Sequence, residues 1–215
     1  MHHAAKQLVL IVVLSVLALA ASASMAAAAP TFTAASYPST TSGVQVEPFV
    51  VTTGQGQVKC PGITYSGEQK EALSEITLVA FVEFWECSTI GLGTTIRQNG
   101  CEFIAKATTV VAENMLYGGT LAIACPPGKS IEFIGGGGIC IVSLPSQSGA
   151  IELEDQTSAS PEDVLMKVNV TNLKYTLSGS FLCKGSFENG TLGGSVTLKS
   201  LNGAKTAQAF MVGGK

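Results

Sequence analysis

The chain has 215 residues, with 12 Lys and Arg against 15 Asp and Glu, a formal charge of −3 and 46% hydrophobic residues. Arg97 is its one arginine and no basic run occurs, so the clustered positive charge that a nucleic acid or an anionic membrane surface requires is missing.

Residues 1–23 read as a secretory signal peptide. Lys6 precedes the apolar run Leu8–Ala20, and Ala21-Ser22-Ala23 supplies the small-x-small pattern for cleavage after Ala23, with alternative sites along Ala26–Ala29. The competing reading is an uncleaved anchor. The apolar run covers about 13 residues, however, against the ~20 that a spanning helix needs. No cysteine follows the run, so lipid attachment there is not expected, and no second hydrophobic segment predicts a membrane span in the mature chain.

Residues 24–43, rich in Ala, Ser, Thr and Pro, read as a flexible lead-in, and 44–215 as a single all-β domain. Strands are expected at Val44–Thr52, Glu75–Trp85, Thr94–Gln98, Glu102–Val111, Thr120–Ala124, Ser130–Ile134, Ile139–Leu144, Val164–Thr171, Leu173–Leu177, Leu192–Leu198 and Ala207–Val212. Gly67–Ser74 reads briefly as helix, and Ser146–Asp163 as one long polar connection. Many short strands between glycine-rich turns predict a disulfide-stabilised antiparallel β-sandwich or barrel-like domain.

The cysteines are Cys60, Cys87, Cys101, Cys125, Cys140 and Cys183, an even count that reads as structural disulfides in an exported chain. No C-x-x-C pair is present. Asn99-Gly100 marks a turn before Cys101 and Gly135–Gly138 a turn before Cys140. The favoured pairing is therefore Cys87–Cys101 and Cys125–Cys140 as two local staples, with Cys60–Cys183 as a long tie, out of about 15 combinations.

Three segments carry a resemblance: Glu86–Phe103 (ECSTIGLGTTIRQNGCEF), Ala124–Phe133 (ACPPGKSIEF) and Leu173–Cys183 (LKYTLSGSFLC). Together they resemble a group of uncharacterised exported six-cysteine proteins of soil actinobacteria, over roughly Val58 to Leu198. The resemblance implies secretion and a β fold, and it brings no activity, ligand or catalytic residue.

Cleavage after Ala23 removes both His2 and His3, which excludes Ser-His-Asp and Cys-His mechanisms and the usual histidine metal sites. Gly128-Lys129-Ser130 lacks the glycine a phosphate loop needs at Ile123, and a β run follows it instead of a helix. Carboxylates remain. Glu83 and Glu86 flank Trp85, but strand alternation sends them to opposite faces, which is poor geometry for paired acid–base work. Glu152, Glu154, Asp155, Glu162 and Asp163 could offer oxygen ligands to calcium, without the spacing of a regular calcium loop. The aromatic supply for a sugar platform is thin: one Trp and Tyr37, Tyr65, Tyr117 and Tyr175. Asn169-Val170-Thr171 and Asn189-Gly190-Thr191 read as ordinary strand and turn residues. The expectation is an exported, non-catalytic β domain with a structural, cell-surface or ligand-binding role and no cofactor. Its rival is a carboxylate-dependent extracellular glycoside hydrolase. A cell-wall or glycan ligand is the partner class left open.

Overall fold

The computed structural model describes residues 29–82, 87–89, 92–112, 115–181 and 183–213. Among them the chain is antiparallel β throughout, with three disulfides. The strands are β1 (Phe32–Ala34), β2 (Ser39–Thr53), β3 (Gly56–Cys60), β4 (Ile63–Gln69), β5 (Glu75–Val82), β6 (Ser88–Thr89), β7 (Leu92–Arg97), β8 (Glu102–Ala112), β9 (Leu116–Ala124), β10 (Ile131–Gly135), β11 (Cys140–Leu144), β12 (Gln147–Gln156), β13 (Asp163–Gly179), β14 (Gly185–Leu201), β15 (Ala207–Gln208) and β16 (Phe210–Val212).

Register shows how these pieces join. β3 pairs with the far half of β2 (Phe49↔Cys60, Thr53↔Gly56) and β4 with its near half (Ser39↔Gln69, Val44↔Thr64), so β3 and β4 lie end to end as one interrupted stave. The same holds for β5 with β6, β7 with β8, β9 with β10, and β11 with β12. Together with the unbroken β2, β13 and β14 this makes eight staves among the described residues, each hydrogen-bonded to its neighbour in chain order. The ring then closes, because β14 pairs with β2 from Thr191↔Thr52 to Leu201↔Thr40. The architecture is an up-and-down barrel, in which closure removes the unpaired edges that open sheets must otherwise protect.

Inward positions follow the period of two. Val164, Met166, Val168 and Val170 of β13 are buried while Lys167 and Asn169 between them are exposed. At mid-height Phe49, Tyr65 and Phe103 meet edge to face, with centroids 5.9 and 5.8 Å apart. Burial raises the Tyr65 phenol well above its ordinary pKa. These rings and Ile63, Ile123 and Phe133 surround an apolar cavity of about 40 Å³, so the middle of the barrel is filled by side chains.

Among the described residues four interruptions lie at a common height, and proline or an Asn-Gly turn sits at each: Pro61, Asn99-Gly100, Pro126-Pro127 and Pro145. Amide side chains replace the lost ladder bonds. Gln45 donates to the Cys60 carbonyl (2.7 Å) and accepts from the Ile63 N–H (2.8 Å). Gln147 donates to the Lys174 carbonyl (2.9 Å) and accepts from the Lys174 N–H (2.8 Å), behaving like one more peptide of the ladder. Asn99 donates to the Ser130 carbonyl at 2.9 Å, and the Cys125 N–H donates to Ser146 Oγ at 3.0 Å.

Four expectations are corrected. The disulfides are Cys60–Cys87, Cys101–Cys125 and Cys140–Cys183, not Cys87–Cys101, Cys125–Cys140 and Cys60–Cys183. Cys125 precedes β10 and Cys140 follows the Gly135–Gly138 turn, so five residues of strand, about 17 Å, hold them apart. Asn99-Gly100, with φ of 53° and 80°, kinks a stave without reversing it, so Cys101 faces Cys125 across the β8–β9 ladder, where Glu102 pairs with Ala124. The lead-in 24–43 is in part structured, since Phe32 is fully buried and β2 starts at Ser39. Gly67–Ser74 is not helical. Gly67 lies in β4, where an added Cβ would run into the Thr77 carbonyl oxygen. Finally, Ser146–Asp163 contains β12, with Ile151 and Leu153 facing in.

Peptide mapping under non-reducing conditions should therefore recover Cys60–Cys87, Cys101–Cys125 and Cys140–Cys183. A Cys87–Cys101 or Cys125–Cys140 fragment would contradict the assignment of collinear staves.

Candidate functional site

The two ends of the barrel differ. At one end β1 and β16 pair as a separate ribbon (Phe32↔Val212, Ala34↔Phe210) and close the lumen. Phe32 and Phe210, both fully buried, stack with centroids 6.0 Å apart, each burial contributing about 1.5–3 kcal/mol. Backbone and side-chain bonds fasten the ribbon to the rim. The Phe32 N–H donates to the Leu73 carbonyl (2.7 Å), Gln69 Nε2 to the Phe32 carbonyl (2.6 Å), and the Phe210 N–H to the Glu162 carbonyl (3.0 Å).

Asp155 completes this closure. Its Oδ1 accepts from the Val212 N–H at 2.7 Å, and the Tyr117 hydroxyl donates to it. Burial raises the carboxyl to about 6. The Val212 and Tyr117 bonds oppose that shift, and the charge of Glu162 adds to it. Tyr117 is raised in turn, by burial first and then by the Asp155 charge.

The opposite end is open. A hollow of about 260 Å³ is lined by Thr53 and Val58 from one side of the ring and by Ile139, Val142 and the Cys140–Cys183 pair from the other. Residues from facing staves converge in this way only inside the lumen. None of the side chains lining the hollow carries a charge. Both threonine hydroxyls of the wall are already engaged: Thr89 shares a 2.6 Å bond with Thr94, and Thr53 donates to the Gly56 carbonyl at 3.0 Å. Tyr175, buried and stacked on Phe187 at 5.2 Å, accepts from the Gly54 N–H (2.8 Å) and donates to Asn189 Oδ1 (3.2 Å), fixing the β2–β3 turn at the rim. On the same rim the β10–β11 turn uses Gly136, Gly137 and Gly138 at positive φ, a backbone that other residues rarely adopt. Ile139 beside it is 61% exposed, and Phe181 in the β13–β14 turn is 83% exposed.

The residues singled out from sequence do not gather here. Glu83, Trp85 and Glu86 lie outside the described residues. Glu152 and Glu154 point outward to Lys167, at 3.2 and 2.8 Å, whereas Asp155 points inward. The acidic segment thus splits between two faces of β12. Among the described residues no cluster of three or more His, Cys, Asp or Glu is placed to hold a metal ion. Gly128-Lys129-Ser130 forms a turn ahead of β10, with the Lys129 N–H donating to the Pro126 carbonyl. Tyr37, Tyr65, Tyr117 and Tyr175 are all packed or bonded within the fold, so none stands out as a sugar platform. Sequence reasoning misses the mouth residues Thr53, Val142, Ile139 and Phe181. The one available signal is Phe181 itself, a large apolar residue directly after the small residues Ser178-Gly179-Ser180 that end β13 and begin its turn.

No family model, no curated protein and no solved structure matches the chain.

A carboxyl raised in the folded state binds a proton more tightly there than in the unfolded chain. Its contribution is present at low pH and is lost as pH rises through about 6. Asp163, also raised by burial, has the same sign, while Glu154, lowered by its bonds to Lys167, has the opposite sign. The melting temperature of Asp155→Asn, which keeps an acceptor for Val212, should fall less than that of the wild type between about pH 4 and pH 7. Identical slopes in thermal denaturation would refute the role given to Asp155.

Proposed function

We propose that the protein is an exported, non-catalytic β-barrel that binds a small, uncharged, largely apolar molecule in its open end. One observation carries this reading: a lumen sealed by the β1–β16 ribbon at one end opens at the other into a 260 Å³ hollow without charged side chains. That volume lies just below the ~300–1,000 Å³ of pockets for drug-sized ligands, so it suits a small molecule or one end of a longer one. With Thr53 and Thr89 already bonded, the wall rewards apolar contact more than new hydrogen bonds. The Cys140–Cys183 bond ties the β13–β14 turn to β11 and keeps the mouth in shape before a ligand arrives.

Export is supported by the signal-like N-terminus and by three disulfides, which fit an oxidising compartment. No helix among the described residues is long and apolar enough to cross a membrane.

The test is a titration with the neutral dye Nile red. Wild-type protein should enhance its fluorescence saturably, and Thr53→Trp, a bulky change at a half-exposed rim position, should weaken binding about tenfold or more. Equal binding by the variant, or no binding by the wild type, would rule out the mouth as the site.

A further inference from the structure

Phe181 and Ile139 stand at the rim of the open end; Phe181 is the most exposed large apolar side chain among the described residues, while Ile139 is exposed to about the same degree as Val110 and Val111 of β8. The Ser180 N–H donates to the Ile139 carbonyl at 2.9 Å, so the two tips that carry them are joined. Among the described residues the connections at this end are Gly54-Gln55, Gly136–Ile139, Ser180-Phe181 and Cys183-Lys184. They contain no acidic residue, and Lys184 is their one charge. Farther along β14, Glu188 is paired with Lys174 at 3.1 Å. The connections at the closed end, by contrast, carry charges of both signs, Glu71 and Glu162 beside Lys70 and Lys205. A chain of net charge −3 has thus kept carboxylates off the tips of its open end.

We propose that the open end docks on a phospholipid bilayer, with Phe181 and Ile139 inserted among the head groups and acyl boundary and the mouth facing the lipid. The attraction is mainly apolar, as in other interfacial segments. Lys184 adds the only charge, a contribution of about one basic residue near an anionic surface. Two protruding side chains are far too small for a stable protein interface, which buries on the order of 1,000 Å² or more. A symmetric pair formed through this end would also bring Lys184 toward its own copy. A bilayer needs neither shape complementarity nor a large patch. Docking in this orientation lets a largely apolar molecule pass between lipid and mouth without crossing water. It does not depend on the ligand reading, since insertion and dye binding are measured separately.

The experiment is co-sedimentation with phosphatidylcholine vesicles, with and without phosphatidylglycerol, alongside light scattering of the free protein. The wild type should be monomeric and should bind both vesicles, more strongly when phosphatidylglycerol is present. Phe181→Asp should lower the partition coefficient about tenfold or more on both. Lys184→Glu should weaken binding only to the phosphatidylglycerol vesicles. Val110→Asp, at an exposed valine of the β8–β9 hairpin toward the closed end, should leave binding unchanged. Absence of vesicle binding by the wild type, equal binding by Phe181→Asp, or an equal loss in Val110→Asp would overturn the proposal. So would a wild-type dimer that Phe181→Asp converts to monomer, because the occupant would then be a second copy.

Discussion

The pairing of β14 with β2 is the constraint on which the rest depends. Every buried backbone N–H and C=O must find a partner, and a meander of staves left open would expose two edges along its whole length. From Thr191↔Thr52 to Leu201↔Thr40 the last long strand lies against the first, and both edges disappear. Closure also decides what the inside can be. With eight staves the lumen is narrow enough for Phe49, Tyr65 and Phe103 to fill it at mid-height, so open space survives only toward an end. One end is taken by the β1–β16 ribbon, and the hollow is left at the other.

Closure must also tolerate the interruptions at mid-height. Proline cannot donate to a ladder, so Pro61 and Pro145 would leave gaps in a ring that has no slack. The sequence answers with Gln45 and Gln147, whose amides pair with the same kind of backbone groups that the ladder lost. Cys60–Cys87 and Cys101–Cys125 join neighbouring staves at the same level. In the chain-entropy picture, loops of 27 and 24 residues closed by disulfides contribute on the order of 3–4 kcal/mol each. The weakest level of the barrel is therefore also its most cross-linked.

Local pattern is legible in the amino-acid sequence alone. The alternation around Val164–Thr171 and the Gly135–Gly138 turn read as strand and hairpin, and all six cysteines are bonded. How separate strands line up end to end is not legible. Asn99-Gly100 has the composition of a hairpin tip, yet here it kinks a stave, and that single ambiguity changes the disulfide pairing. β12 escapes a reading by pattern because its exposed face, Glu152 and Glu154, is acidic, and because Ile151 and Leu153 are its only large apolar residues. The mouth is hidden for a related reason. Thr53, Val58 and Val142 are ordinary strand residues until ring closure brings them across from one another.

The closed ring is tested most directly by cross-strand nuclear Overhauser contacts between β2 and β14. Contacts linking Gly43 with Leu198 and Val51 with Leu192 are expected, with slow amide exchange along both strands. Absence of those contacts, together with rapid exchange along β14, would mean an open sheet with two free edges, and the sealed and open ends described above would lose their basis.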